Sequence, residues 1–197
     1  MARGRPREFD VDKVLQAALN VFWARGYEGT TMADLGEATG LQPGSIYAAF
    51  GSKAGLFKQV ADRYVTTAFS YGSHALEADS AREVVRRWLT GAAETSTGEA
   101  TPAGCLLVQG ALVTSDASRP VGQDLCTRRT AAQVMLAERF VQALDNGDLP
   151  VEVEARVAAQ YVVALAEGIA VEAASGASRE TLLGLVELSM RRLPWED

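Results

Sequence analysis

The stretch that decides the fold is Thr30-Thr31-Met32-Ala33-Asp34-Leu35, Ala38-Thr39-Gly40-Leu41, Gln42-Pro43-Gly44-Ser45-Ile46-Tyr47-Ala48-Ala49-Phe50 and Gly51-Ser52-Lys53. Thr31 is a good N-cap, and Asp34 stands three residues on, near the positive end of a short helix predicted over 32–39. Gly40 and Leu41 make a tight turn, and a second short helix is predicted over 43–50. Gly51-Ser52 breaks the chain, and Lys53 opens a longer helix carrying Leu56, Phe57, Val60, Ala61 and Tyr64. Upstream, Asp10 caps a helix whose Val11, Val14, Leu15, Ala18, Leu19 and Phe22 share one face, with Gly26 closing it. Two short helices joined by a glycine turn are the grammar of a helix-turn-helix, whose second helix enters the major groove of DNA. Pro43, Gly44 and Ser45 are small enough to approach base edges. Tyr47 can reach a phosphate, and Lys53 lies at a helix N-terminus, where backbone N–H groups attract anions.

Outside this stretch the composition sets bounds. The chain has 197 residues, 48% hydrophobic, with a net charge of −6. That fits a globular protein with one large domain, or a small and a larger one. Residues 1–63 carry 8 basic and 7 acidic side chains, whereas residues 64–197 carry 11 and 18. A basic arm with Arg3, Arg5 and Arg7 ahead of an acidic remainder hints at nucleic acid. The longest run without a charged residue, 100–115, is too short and polar to span a bilayer. Asp10 and Asp12 stand where a signal peptide needs its apolar core, so a cytoplasmic protein is expected. Cys105, Cys126 and the single His74 make neither a Cys/His zinc cluster nor a disulfide framework, and no metal site or cofactor is predicted.

The rest of the chain reads as helix, without strand alternation. Ser80 and Glu83 form a capping box for a helix through Trp88, and 95–104 reads as a loop. Further helices are expected over 105–114, 118–144, 152–175 and 178–193. The helix within 154–174 is apolar on nearly every side, so it needs cover on two faces. A second copy of the chain supplies that cover if Tyr161, Leu165, Ile169, Leu182, Leu185 and Val186 form a four-helix interface; a wholly internal core is the alternative.

The segments quoted above, with Ser52-Lys53-Ala54-Gly55-Leu56 and the preceding Phe22-Trp23-Ala24-Arg25-Gly26-Tyr27, resemble the N-terminal domain of TetR-type transcriptional regulators over roughly residues 8–60. The resemblance implies an all-α homodimer: a three-helix DNA-binding domain (1–54) and a larger helical domain (55–197) for effector binding and dimerisation. It implies that Thr31 caps its helix and touches a phosphate. Gln42, Pro43, Gly44 and Ser45 would face bases, Tyr47 would contact the backbone or a thymine methyl, Lys53 would hold a phosphate, and Arg3 and Arg5 would reach the minor groove. The partner would be palindromic double-stranded operator DNA, released by a small-molecule effector. Where the family frequently has His or another polar or aromatic residue, this chain has Ala48 and Ala49, which removes contacts there.

Phe69, Tyr71, Trp88, Phe140 and Tyr161 are aromatic candidates for lining the effector pocket, with plain core packing as the alternative. Cys105 joins them, because Gly104-Cys105-Leu106 resembles the start of a helix in a TetR subgroup with electrophile- or oxidant-sensing members. A thiol in the first turn of a helix is expected to have a lowered pKa; a small buried hydrophobe is the other reading. Cys126 is a candidate resolving partner. An enzyme is not expected, since no Gly-rich phosphate loop, nucleophile elbow or metal cluster is present. The competing class is a small-molecule-binding protein that has lost specific operator recognition.

Overall fold

The computed structural model describes residues 9–110, 115–150, 152 and 154–192. Ten α-helices account for most of them, with no strand among the described residues. The first four are α1 (Val11–Arg25), α2 (Met32–Thr39), α3 (Pro43–Phe50) and α4 (Lys53–Thr66). Each starts where the local chemistry demands. The Asp10 carboxylate accepts from the Asp12 and Lys13 amides at 3.0 and 3.3 Å, and Ser52 Oγ accepts from the Gly55 amide at 2.9 Å. Such caps satisfy N–H groups that the first turn of a helix leaves without partners.

These helices close around one core. Ala18, Phe22, Leu35, Ile46, Leu56 and Val60 are fully buried in it. Phe22 meets Phe57 edge-on at 4.9 Å, and Trp23 meets Tyr64 in the same way at 4.9 Å. The core continues into the larger half of the molecule through Leu106, Leu107, Val121 and Leu125. The small domain is therefore seated on the large one by shared apolar packing.

The larger half contains α5 (Ser70–Leu76), α6 (Ala81–Ser96), α7 (Leu106–Gln109), α8 (Arg119–Asp145), α9 (Ala155–Ala174) and α10 (Arg179–Arg192), with a 3-10 turn at Asp116–Ser118 before α8. A second core joins α6, α8, α9 and α10 through residues such as Val84, Leu89, Leu136, Phe140, Val162 and Val186. At 20 residues α9 has the length and composition to cross a membrane. Here it packs on α6 and α8, with Ala159, Val162, Ala166 and Ile169 buried.

Three elements differ from the sequence expectation. The sequence reading singled out no separate helix in the 70s, where α5 forms without a side-chain cap. The predicted loop 95–104 begins later, because α6 continues to Ser96. The predicted helix over 105–114 is described only over Leu106–Gln109, and residues 111–114 lie outside the described residues.

Candidate nucleic-acid interface

The geometry of α2 is fixed at its N-terminus. Thr31 Oγ1 accepts from the Asp34 amide at 3.1 Å, while the Asp34 carboxylate accepts from the Thr31 amide at 2.8 Å and its hydroxyl at 2.7 Å. The Arg25 guanidinium also donates to Asp34. The two Thr31 bonds first, and then Arg25, hold the Asp34 carboxyl at about 2. At the other end Gly40 sits at φ 71°, the left-handed conformation that turns the chain into α3. Thr31 is exposed.

A two-turn helix such as α3 has room for only two jobs, and its sides divide them. Ile46 and Phe50 point inward, at 0% and 6% exposure. Gln42, Pro43, Gly44, Ser45, Tyr47 and Ala48 are exposed, and Tyr47 keeps 49% of its surface. A Cβ on Gly44 would meet nothing within 4 Å. All five residues predicted to reach DNA from this segment therefore share the solvent side. Ala49, grouped with Ala48 in the sequence reading, is half-buried against the core, so only Ala48 lies on the open face.

Lys53 begins α4 beside this face. Its Nζ stands 4.3 Å from the centroid of the Tyr27 ring. Burial lowers its pKa, and the Glu28 and Asp34 carboxylates oppose that shift. The α3–α4 corner needs a glycine at 55, where a Cβ would come within 2.2 Å of the Phe50 carbonyl oxygen. Arg3 and Arg5 lie outside the described residues.

The larger half holds a small cavity of about 40 Å³. Phe69, Tyr71 and Trp88 meet edge-on along it, with centroids 5.0, 5.8 and 6.4 Å apart. Cys105 and Tyr64 also line it, and so do Arg129 and Glu167. Arg129 grips Glu167 through two hydrogen bonds, at 2.6 and 3.0 Å, so the charges that the described residues place on the wall are matched. Of the candidates drawn from the sequence, Phe69, Tyr71, Trp88 and Cys105 are on this wall. Phe140 is buried in the second core instead, and Tyr161 is 47% exposed on the outer side of α9. Tyr64, Arg129 and Glu167 were not anticipated. The opposite charges of Arg129 and Glu167 on otherwise apolar helix faces were the available signal.

Cys105 departs from the expected chemistry. It is the N-cap of a four-residue helix, and burial pushes its thiol pKa up. The Tyr64 hydroxyl, 3.1 Å away and donating to Sγ, opposes this with two backbone amides, but burial prevails. Cys126 is an exposed free thiol that lines a separate groove on α8.

The residues proposed for a dimer interface divide too. Ile169, Leu182 and Val186 are each 1% exposed, packed into the chain's own second core. Leu165 and Leu185 are half-buried, and Tyr161 is exposed. The exposed residues of α9 include Val157, Tyr161, Ala164, Gly168 and Val171, flanked by Arg156, Gln160 and Glu172.

Polar contacts stitch the two halves together. Trp23 Nε1 donates to the Gly104 carbonyl at 3.2 Å, next to Cys105. Arg128 on α8 bonds Asp62 on α4 at 2.7 Å. Glu28, in the turn after α1, accepts from the Ser115 amide at 2.9 Å and from the Ser118 hydroxyl.

Comparison with known proteins agrees with this architecture. Residues 14–60 match the family described as "Bacterial regulatory proteins, tetR family". The HTH-type transcriptional repressor ComR of Escherichia coli K12 is 31% identical over 195 residues, 98% of this chain and 93% of ComR. A second E. coli repressor, BdcR, is 44% identical over 64 residues, 32% of each protein. A cysteine mutant of the TetR family transcriptional regulator CifR, solved with 26bp double-strand operator DNA, superposes with a TM-score of 0.92 at 38% identity. That match covers 96% of this chain and 100% of CifR. With ComR aligned along almost its whole length and the helix-turn-helix in register, the chain belongs to the TetR family of transcriptional regulators, which are not enzymes.

Proposed function

We propose that the protein is a cytoplasmic homodimeric repressor whose α3 lies in the major groove of a palindromic operator. A small molecule in the larger domain releases it. Gln42, Pro43, Gly44 and Ser45 face the bases. Thr31, Tyr47 and Lys53 hold phosphates, and Arg3 and Arg5 enter the minor groove. Residues 1–54 form the reading head, and residues 55–197 form the effector and dimer domain. The observation that carries this reading is the division of α3, which leaves its small and polar residues together on an open face. The likeness to CifR, whose structure includes operator DNA, adds to it.

The cavity supports effector control. An apolar cavity that takes benzene measures about 150 Å³, so a ligand of that size must push the walls of this smaller one apart. Its walls include Tyr64 of α4 and Cys105, beside the Gly104 carbonyl that Trp23 holds. Widening the cavity therefore pulls on the reading head. With its wall charges already paired, the cavity suits an uncharged, mainly apolar effector, because a charged one would leave a partner unmatched. A second reading makes Cys105 the target of an oxidant or electrophile, favoured by its place on the cavity wall and opposed by its raised pKa.

Fluorescence anisotropy tests these readings, comparing DNA upstream of the protein's own gene with scrambled DNA at two salt concentrations, with and without a thiol oxidant. Selective binding that ignores oxidant supports the small-molecule repressor. Selective binding lost on oxidation moves the reading to Cys105. Equal weak binding to both DNAs favours a binder without operator recognition.

A further inference from the structure

Glu28 accepts from the Ser115 amide, at 2.9 Å, and from the Ser118 hydroxyl, both just ahead of α8. Its chain neighbour Tyr27 carries the Lys53 Nζ 4.3 Å from the centroid of its ring. The carboxylate acts electrostatically on that ammonium. We propose that Glu28 is a positioning residue for DNA binding. Held by the Ser118 hydroxyl alongside the Ser115 amide it leaves the Lys53 ammonium to the phosphate, and once the Ser118 bond is lost it swings to pair with that ammonium instead. This rests on the proposed role of Lys53 as a phosphate contact.

Three features make Glu28 the switching partner. Asp34 also acts on Lys53, but Thr31 and Arg25 fix it from within the reading head, so its effect is constant. The partners of Glu28 lie 87 and 90 residues along the chain, in the other half of the molecule. Ser118 directly precedes α8, a 27-residue helix that also carries Arg129 and Ala132 on the cavity wall. A helix moves as a rigid rod over three turns, so displacing Arg129 displaces Ser118. The serine bonds hold the Glu28 carboxyl at about 2, so it is anionic throughout the neutral range and available to a cation when they break.

The test uses the full chain with S118A, E28Q and the double variant. Two quantities are read: operator affinity by anisotropy, and acylation of the Lys53 amine by acetic anhydride followed by mass spectrometry. S118A is expected to weaken operator binding roughly two- to fivefold, the range of an exposed ion pair, and to slow Lys53 acylation. In the E28Q background, where no carboxylate can be released, S118A is expected to change neither. Equal effects of S118A with and without E28Q would overturn the proposal, as would an S118A protein with unchanged Lys53 acylation. If the wild type does not distinguish operator from scrambled DNA, the DNA role of Lys53 fails separately, and acylation still decides whether Glu28 moves onto it. Should S118A fail to fold, S118T against S118C, which keep and weaken the hydroxyl donor, gives the same acylation comparison.

Discussion

The outward side of α9 makes opposite predictions for a lone chain and a dimer, and Gly168 separates them. Positions 157, 161, 164, 168 and 171 advance by alternating steps of four and three, which aligns them along one stripe of a helix. Val157, Tyr161 and Val171 keep 60%, 47% and 44% of their surface, and Ala164 and Gly168 between them are exposed. A Cβ on Gly168 would meet nothing within 4 Å in the single chain. Considered alone, Gly168→Ala should then stabilise α9 by about 1 kcal/mol, and Gly168→Arg should cost nothing in packing. In a dimer sealed along this stripe, arginine at 168 forces a bulky, desolvated cation into the seam, beside the exposed Glu172 one turn on. That costs about 3–5 kcal/mol, a rise of roughly 10²- to 10⁴-fold in the dissociation constant. Sedimentation equilibrium should report a two-chain mass for the wild type and a one-chain mass for Gly168→Arg at low micromolar concentration. Operator affinity should fall in parallel, since a palindrome needs two heads. A Gly168→Arg protein that remains a dimer would refute the assignment of this stripe, and a monomeric wild type would refute the dimer itself.

Other substitutions probe the reading head and its seat. Lys53→Ala should weaken binding to all DNA sequences alike and reduce the salt slope by about one, read from anisotropy at several salt concentrations. Ser45→Ala should instead relax preference at one operator position by about 1–3 kcal/mol, and a uniform loss across positions would remove Ser45 from base reading. Trp23→Phe strips the Gly104 carbonyl of its 3.2 Å donor, and urea unfolding should show a loss of about 1–3 kcal/mol at unchanged slope. Acid should weaken the fold from about pH 4.5 down to about pH 2. Asp34 and Glu28 fall from ordinary values of 3.8 and 4.5 to about 2, so the folded state binds fewer protons than the unfolded one in that window. Asp34→Asn should flatten this limb of the urea-midpoint profile.

Much of the reading head was legible because its determinants are local. Asp10, Thr31 with Asp34, and Ser52 cap helices within three residues of themselves, and Gly40 turns the chain where its sequence position suggests. Ile46 and Phe50 are four apart, so one turn of helix puts both on the same inward side, again a local determinant. Elsewhere the determinants are distant. Periodicity marked Ile169, Leu182 and Val186 as apolar without revealing whether a neighbouring helix or a second chain covers them. The helix-end argument for Cys105 was sound locally, yet the burial that overrides it comes from α4 and the cavity wall. Glu28 sits in an unremarkable Tyr-Glu-Gly turn, and nothing near it in sequence points to serines some ninety positions away.

The division of α3 has a consequence for how such a protein diversifies. Its anchoring is carried by Ile46 and Phe50, and its outward face by Gln42, Gly44, Ser45, Tyr47 and Ala48, with no residue shared between the two sets. Exposed substitutions away from caps and turns shift folding free energy by only about 0.5 kcal/mol. If α3 reads the operator as proposed, the address it recognises is free to drift under mutation while the scaffold remains intact. A gene duplicate would need few changes, all on one side of two helical turns, to be sent to a new promoter.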